Sequence, residues 1–318
     1  MMEVFELDKD RFWKMALDKF DATFYHGLAW KKVIEDVYGF EPIYLLAEED
    51  DIVGLLPTFL IRNLMGKRLI SLPFSPYGGV LANDNRVERE LIYKALEIEK
   101  RLELRCFGNS DHLCTFLLEL GDVDSVWSRI GKKVRNSTRK AKRLGLSFAI
   151  EDRLEEFYDM YSRNMHSLGS PTHPIEFFER LLDLDCVDMG VVIKGERVVA
   201  GSILLKFKDT VISGWAGSDK RYLKMCPNNL LYWGCIRHAC MEGFRYFDFG
   251  RSLVGSGTFK FKKAWGGRQI GLNYRYYPKK GVDTSMRNPM RRTFANFWRK
   301  IPYRVARTVS PALRGLFP

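Results

Sequence analysis

The apolar positions change period several times along the chain, and each change marks an element. FDATFYHGLAWKKVIEDVYG (20–39) sets Leu28, Val33 and Val37 at helical spacing and closes on Gly39, a residue suited to a left-handed helix stop. IYLLAEEDDIVGLLPTFLIR (43–62) is two β-rich runs around a short acidic turn, which predicts a hairpin. LISLPFSPYGGVL (69–81) is a strand entering a Pro/Gly turn, and NRVERELIYKALEIEKRL (85–102) a helix capped by Asn83 or Asp84. LELRCF (102–107) and CTFLLEL (114–120) predict two further strands. In VDSVWSRIGKKVRNSTRKAKRLGL (123–146), Val134, Thr138, Ala141 and Leu144 form one stripe of a helix that stops at Gly145.

The second half repeats this vocabulary. SFAIE (147–151) predicts a short strand. LEEFYDMYSRNMHSLG (154–169) and PIEFFERLLDL (174–184) predict two helices separated by the breaker SPTHP. DMGVVIKGERVVAGSILLKFKDTVISGWAGS (188–218) reads as three successive strands. PNNLLYWGCIRHACMEG (227–243) is a helix with Pro227 in its first turn, followed by the strand FRYFDFG and, later, the strand IGLNYRYYP. YLLAEEDDIVGLLPTFLIR and GVVIKGERVVAGSILLKFK share the order strand, charged turn, Val-(Ala)-Gly, strand, about 146 residues apart. At that spacing an echo means a duplicated domain, not a solenoid.

Composition narrows the class. A chain of 318 residues suits two domains, and 46% hydrophobic with 28% charged residues describes a soluble globular protein. No apolar run approaches the roughly 20 residues that span a bilayer, and the N-terminus lacks the pattern of a secretory signal. Six scattered cysteines without a C-x-x-C pair, and histidines without ligand spacing to them, predict reduced thiols, a cytoplasmic location and no metal. The net charge of +12 is concentrated: residues 132–143 carry seven bases and no acid, and residues 281–318 carry eight bases against Asp283. The rest of this basic protein is near neutral. Such segments call for a polyanionic neighbour, whether nucleic acid, nucleotide phosphates or an anionic membrane, or else form a solvated surface.

One stretch concentrates candidate chemistry. DFGRSLVGSGTFKFKKAWGG (248–267) holds an aspartate, an arginine, five glycines and three lysines. Gly250 and Gly255 give the frame of a phosphate loop, but Ser256 and Gly257 stand where that loop needs Lys and Ser/Thr. No G-x-G-x-x-G lies between a strand and a helix, and no G-x-S-x-G frames Ser252. His238 has packing neighbours along its helix. What is left is a strand ending in Asp248, a turn with Arg251, and a basic segment, read as a strand, carrying Lys260, Lys262 and Lys263. A carboxylate so placed can orient an amine or take its proton, and cations can stabilise an oxyanion or bind phosphate. A salt-bridged turn accounts for the same residues.

The order of elements over 150–278, with LGSPTHPIEFF, AGSDKRYLKMCPNNLLYWGCIRHACMEGFRYFDFGRS and GTFKFKKAWGG, resembles the GNAT acyltransferase fold. In its residues it is similar to the FemAB-like branch, of the peptidoglycan-bridge aminoacyltransferase or BioF-associated acetyltransferase type. KKVRNSTRKAKRLGL and SLPFSPYGG resemble that branch's basic helix and an upstream turn, so the likeness runs from about Phe20 to Tyr277. The resemblance implies an α/β (α+β) chain of tandem GNAT-like domains, each a mixed, mainly antiparallel sheet flanked by helices. We expect boundaries at 1–147, 148–280 and 281–318, the last a basic tail. It further implies amide formation on an amine of a cell-envelope precursor, peptidoglycan, lipid-linked or exopolysaccharide, without metal or bound cofactor. The donor would be aminoacyl-tRNA, or else acyl-CoA or an acyl-carrier protein with an amino-sugar acceptor. A non-catalytic adaptor that binds nucleic acid or membrane is a third class.

By the family's F-K-x-x-[FW]-G motif, Lys262 would stabilise the oxyanion or donor phosphates. Asp248 would orient the amine or act as base, and Arg251 would clamp an anion. Asn228, Asn229, Trp215, Tyr77, Ser252, Lys260 and Trp265 are expected to bind substrate, and Lys133, Arg135 and Arg139 to contact tRNA or phosphate. The chain departs from acetyl-CoA enzymes where their glycine-rich pyrophosphate loop would lie. Residues 221–228 read RYLKMCPN, and a proline with bulky neighbours weakens a backbone N–H cradle. In the tail, Phe294, Phe297, Trp298, Ile301 and Val305 interleave with bases and break at Pro302. That suits either peripheral contact of residues 287–314 with the inner face of an anionic membrane or packing on the first domain.

Overall fold

The computed structural model describes residues 2–6, 10–64, 66–279 and 289–318. They form two compact units. The first takes in the chain up to Asp111, the segment from Gly271 and the last four residues from Gly315; the second runs His112–Ile270 and resumes in the tail to Arg314.

The first unit contains β1 (Glu3–Glu6), α1 (Asp10–Lys19), α2 (Leu28–Tyr38), β2 (Glu41–Glu48), β3 (Ile52–Asn63), β4 (Gly66–Ile70), β5 (Leu81–Ala82), α3 (Asn85–Ile98) and β6 (Leu102–Phe107). Gly39 does stop α2 in the left-handed region, and Asp84 caps α3 by accepting from the N–H groups of Arg86 and Val87. β1 to β4 pair antiparallel in order, and α3 carries the chain across to β6, which runs parallel to β4. Val87, Leu91, Ile92 and Ala95 of α3 bury one face against Leu45, Leu56, Leu69 and Leu104.

The second unit contains β7 (Leu113–Glu119), α4 (Val123–Arg129), α5 (Lys132–Arg143), β8 (Leu146–Ile150), α6 (Leu154–Leu168), α7 (Ile175–Leu182), β9 (Val187–Lys194), β10 (Arg197–Phe207), β11 (Thr210–Ser218), α8 (Pro227–Met241), β12 (Tyr246–Asp248), β13 (Ser252–Leu253) and α9 (Gly257–Lys263). β8 to β11 pair antiparallel in order, α8 crosses over, and β12 runs parallel to β11 and antiparallel to β7. α8 packs on β8, β9 and β10 through Leu231, Cys235, Ile236 and Ala239, and Gly234 permits its approach, since a Cβ there would lie 2.2 Å from the Phe148 ring. α6 covers β10 and β11.

Then β14 (Arg268–Tyr277) pairs antiparallel with β6, and α10 (Pro289–Trp298) and α11 (Tyr303–Arg314) follow. Strand pairs therefore repeat in the two units, and the tandem GNAT-like, mixed and mainly antiparallel expectation holds.

Four expectations change. The stretch 123–146 is two helices, because Ile130 and Gly131 take extended ψ angles between α4 and α5. Residues 257–263 form a helix rather than a basic strand, because Ser256 caps it by accepting from the Phe259 N–H. The division falls after Asp111, not at 147, because Val126, Val134 and Ala141 of α4 and α5 are buried in one core with Leu230 and Trp233. The tail helices pack on α6 of the second unit rather than on the first domain, while the last residues meet the first unit through Asn63 and Arg105. Residues 281–288 lie outside the described residues.

Candidate active site

The pairing of β11 with β12 ends at Ile212 opposite Asp248, and the chain turns at Phe249 and Gly250. Gly250 has φ +71, and a Cβ on it would come within 2.7 Å of the Ser213 carbonyl oxygen. Only glycine lets the turn lie this close to β11 without strain. Asp248 is buried, and its Oδ1 accepts from the Gly250 N–H at 2.7 Å and from the Thr115 hydroxyl on β7. Thr115 was not singled out by sequence; its signal is a polar side chain in the apolar run CTFLLEL.

Lys262, on α9, is buried, and its Nζ donates to the carbonyl oxygens of Gly250 at 2.9 Å and Arg251 at 3.2 Å. An ammonium carries three protons, so these two acceptors leave one to spare among the described residues. Burial lowers the lysine's pKa to about 8, with Asp248 acting to raise it and Arg251 to lower it. The group is therefore a cation at neutral pH that can change charge slightly above it. Ser252 is 4% exposed, and its hydroxyl has no hydrogen-bond partner among the described residues. On the neighbouring strands the Ser202 and Ser213 hydroxyls lie 2.8 Å apart. The Tyr232 phenol hydrogen-bonds to Ser213, and burial pushes its pKa up to about 12.

Of the expected residues, the second unit brings Asp248, Ser252 and Lys262 together. Arg251 contributes its carbonyl while its side chain is exposed, and Lys260 is exposed on α9. Trp265 is a core residue packed against Tyr232, Phe249 and Phe261. Trp215 belongs to an aromatic cluster with His173, Phe177 and Phe178, so its ring is engaged in packing. Tyr77 lies in the other unit, edge-on to Tyr25 and against Phe107. His238 sits 2.9 Å from Asp188, which Lys206 also pairs at 3.0 Å, so its ring is engaged in a separate ionic cluster.

The basic helix is tied to this neighbourhood. Thr138 of α5 donates to the Asn229 carbonyl at 3.4 Å, and Gly131 lies beside the Ala264 carbonyl at the end of α9. Lys132, Lys133, Asn136, Ser137, Lys140 and Arg143 line an open groove of ≈ 600 Å³. Arg139 is exposed over the Trp127 ring, and Arg135 is half-buried with an unpaired Nε. At the start of α8, Pro227 has no N–H, and the amides of Asn229 and Leu230 both turn back to the Cys226 carbonyl. Pro227 and the engaged Asn229 amide thus remove two of the backbone donors with which a helix start holds a pyrophosphate.

Residues 128–263 match the family model of the acetyltransferase (GNAT) domain. The fold is similar to that of FemX, with a TM-score of 0.66 at 13% identity over 86% of this chain and 97% of that one. It is also similar to the C-terminal domain of a protein assigned as a lysylphosphatidylglycerol synthetase from Agrobacterium fabrum, with a TM-score of 0.57 at 12% identity, 86% and 93% covered. A tandem GNAT protein from the clavulanic acid biosynthesis pathway gives 0.55 at 9%, 87% and 98% covered. No curated protein matches the sequence significantly. At these identities the structural likeness speaks for the fold.

Proposed function

We propose that this acyltransferase, a tandem protein of FemAB-like fold with its GNAT domain over residues 128–263, forms an amide bond on an amine of a cell-envelope precursor, using aminoacyl-tRNA as donor. The observation that carries the proposal is Lys262: a buried ammonium, anchored on the carbonyls of Gly250 and Arg251 just after β12, with one proton to spare among the described residues. In amide formation the acceptor amine attacks the donor ester carbonyl, negative charge develops on its oxygen, and the ester C–O bond breaks as the sugar oxygen of the tRNA leaves, a hydroxyl that ends with the proton the amine gives up. A fixed cation in a dry site stabilises that charge more in the transition state than in the ground state. Asp248 acts as a positioning residue, holding Gly250 and offsetting the charge of Lys262, since its Oδ1 is engaged twice. The bases of α5, Lys133, Arg135 and Arg139 among them, meet the donor's phosphates.

The choice of tRNA over acyl-CoA is supported by the start of α8, where Pro227 has no N–H and the Asn229 amide bonds the Cys226 carbonyl, so fewer backbone donors face a pyrophosphate than at an ordinary helix start. The test is the mass of product when purified protein meets charged tRNA or acyl-CoA with an amine-bearing precursor. A product carrying an aminoacyl group from tRNA is expected. An acyl product from CoA alone would favour the acyl-CoA reading, and no product with either donor would favour a binding adaptor. An acceptor that is lipid-linked places the reaction at the membrane face.

A further inference from the structure

We infer that the outward face of α10 and α11 docks the protein onto an anionic lipid bilayer. The inference rests on the proposed function only for why a membrane matters; the surface itself is independent of it.

The inward face of this tail is fixed. Trp298, Ala306 and Ser310 are buried, and the Tyr303 hydroxyl lies 2.7 Å from that of Ser162. Arg307 pairs with Asp159 at 3.2 Å, and Arg299 donates to the carbonyls of Ser167 and Leu168. A helix pair held this firmly on one side presents a defined face on the other. That face carries Phe297, Val305 and Val309 at 62%, 52% and 37% exposure, with Leu168 of α6, 54% exposed, beside the Arg299 anchor. Single exposed apolar residues are ordinary, but here Phe297, Val305 and Val309 lie on the same helix pair and its connection as the exposed bases Arg292, Lys300 and Arg304. Residues 289–318 contain no Asp or Glu. Apolar side chains that insert at the headgroup level, interleaved with bases and free of acids, match an anionic membrane surface in both polarity and charge. No helix is long and apolar enough to cross a membrane, so docking would be peripheral.

The test is co-sedimentation of the full chain with vesicles of phosphatidylglycerol mixed with phosphatidylcholine, and of phosphatidylcholine alone, at low and high salt. Binding to the anionic vesicles is expected to weaken about tenfold or more in high salt, in F297S/V305S and separately in R292E/K300E/R304E. All these side chains are exposed, and matched thermal unfolding of both variants checks their folding. No binding to anionic vesicles, or binding unchanged in both variants, overturns the inference, as does loss of tRNA binding in the variants with vesicle binding intact. Transfer to a soluble acceptor stays at the wild-type rate in both variants, whereas failure of the proposed function abolishes transfer in every protein and leaves vesicle binding as it was.

Discussion

The two units follow the same path and use its end differently. In the first, β2, β3 and β4 form a meander, α3 crosses over, and β6 joins parallel to β4; in the second, β9, β10, β11, α8 and β12 do the same. The last parallel pair is Ile70 with Glu103 in one and Ile212 with Asp248 in the other, so the two acids are counterparts. Two residues on stands Arg105 in the first unit and Gly250 in the second. Arg105 is buried, pairs with Glu103 at 2.9 Å, and has its other nitrogens on the carbonyls of Ser75 and Pro318. In the second unit glycine leaves that position empty, the turn closes on β11, and the cation comes from α9 instead. One acid is neutralised within a fully bonded ion pair. The other acid's turn accepts from a cation whose remaining proton has no acceptor among the described residues. The same frame thus closes an ion pair in one copy and holds the groups of the proposed site in the other.

The sharpest way to break this contrast is in the first unit. Arg105→Ala strands Glu103 in the core and should cost about 3–5 kcal/mol of stability, read as a fall in the thermal or denaturant midpoint, while the transfer rate per folded molecule persists. An unchanged midpoint would mean that the ion pair is not structural. The converse substitution is Lys262→Met, expected to lower turnover by about 100-fold or more with the fold kept. Its pH dependence has a definite sign. Lys262 has a folded pKa of about 8, below its ordinary 10.5, so between those values the unfolded chain holds more protons and stability rises with pH, by about 3 kcal/mol in all. Below pH 8 the full cost of burying the charge is present. Turnover, which needs the cation, should instead fall as pH rises through 8, and Lys262→Met should abolish the rise in stability. The smallest effect belongs to Ser252→Ala. Its hydroxyl has no partner to lose among the described residues, so stability should change by less than about 0.5 kcal/mol while turnover drops several-fold. Equal losses in both would assign Ser252 a structural role.

Much of this contrast was legible in the sequence, because the hairpin echo and the helices ending at Gly39 and Gly243 depend on local signals. Asp248 and Lys262 were also visible, although the alternation Phe-Lys-Phe-Lys imitates a strand, and only the Ser256 cap makes α9 a helix. The membership of α5 could not be read, since its bases say nothing about which core buries Val134 and Ala141. Thr115 was hidden for a related reason: strand pairing, not local pattern, brings β7 beside β12. For Trp215 and Trp265 the motif is silent, because an aromatic side chain looks the same in sequence whether it lines a cleft or fills a core, and only the fold shows both rings engaged in aromatic packing.

The bond from Thr115 to Asp248 spans 133 residues of chain. β7 is therefore made long before the strand it must meet, and Lys262 is made later still. Closing so long a loop delays the contact, which makes the site a late event in folding. A ribosome that has completed α8 has produced most of the second unit's core but none of its chemistry. Under the proposed function, a premature chain that captures a charged donor through the bases of α5 is unable to transfer it.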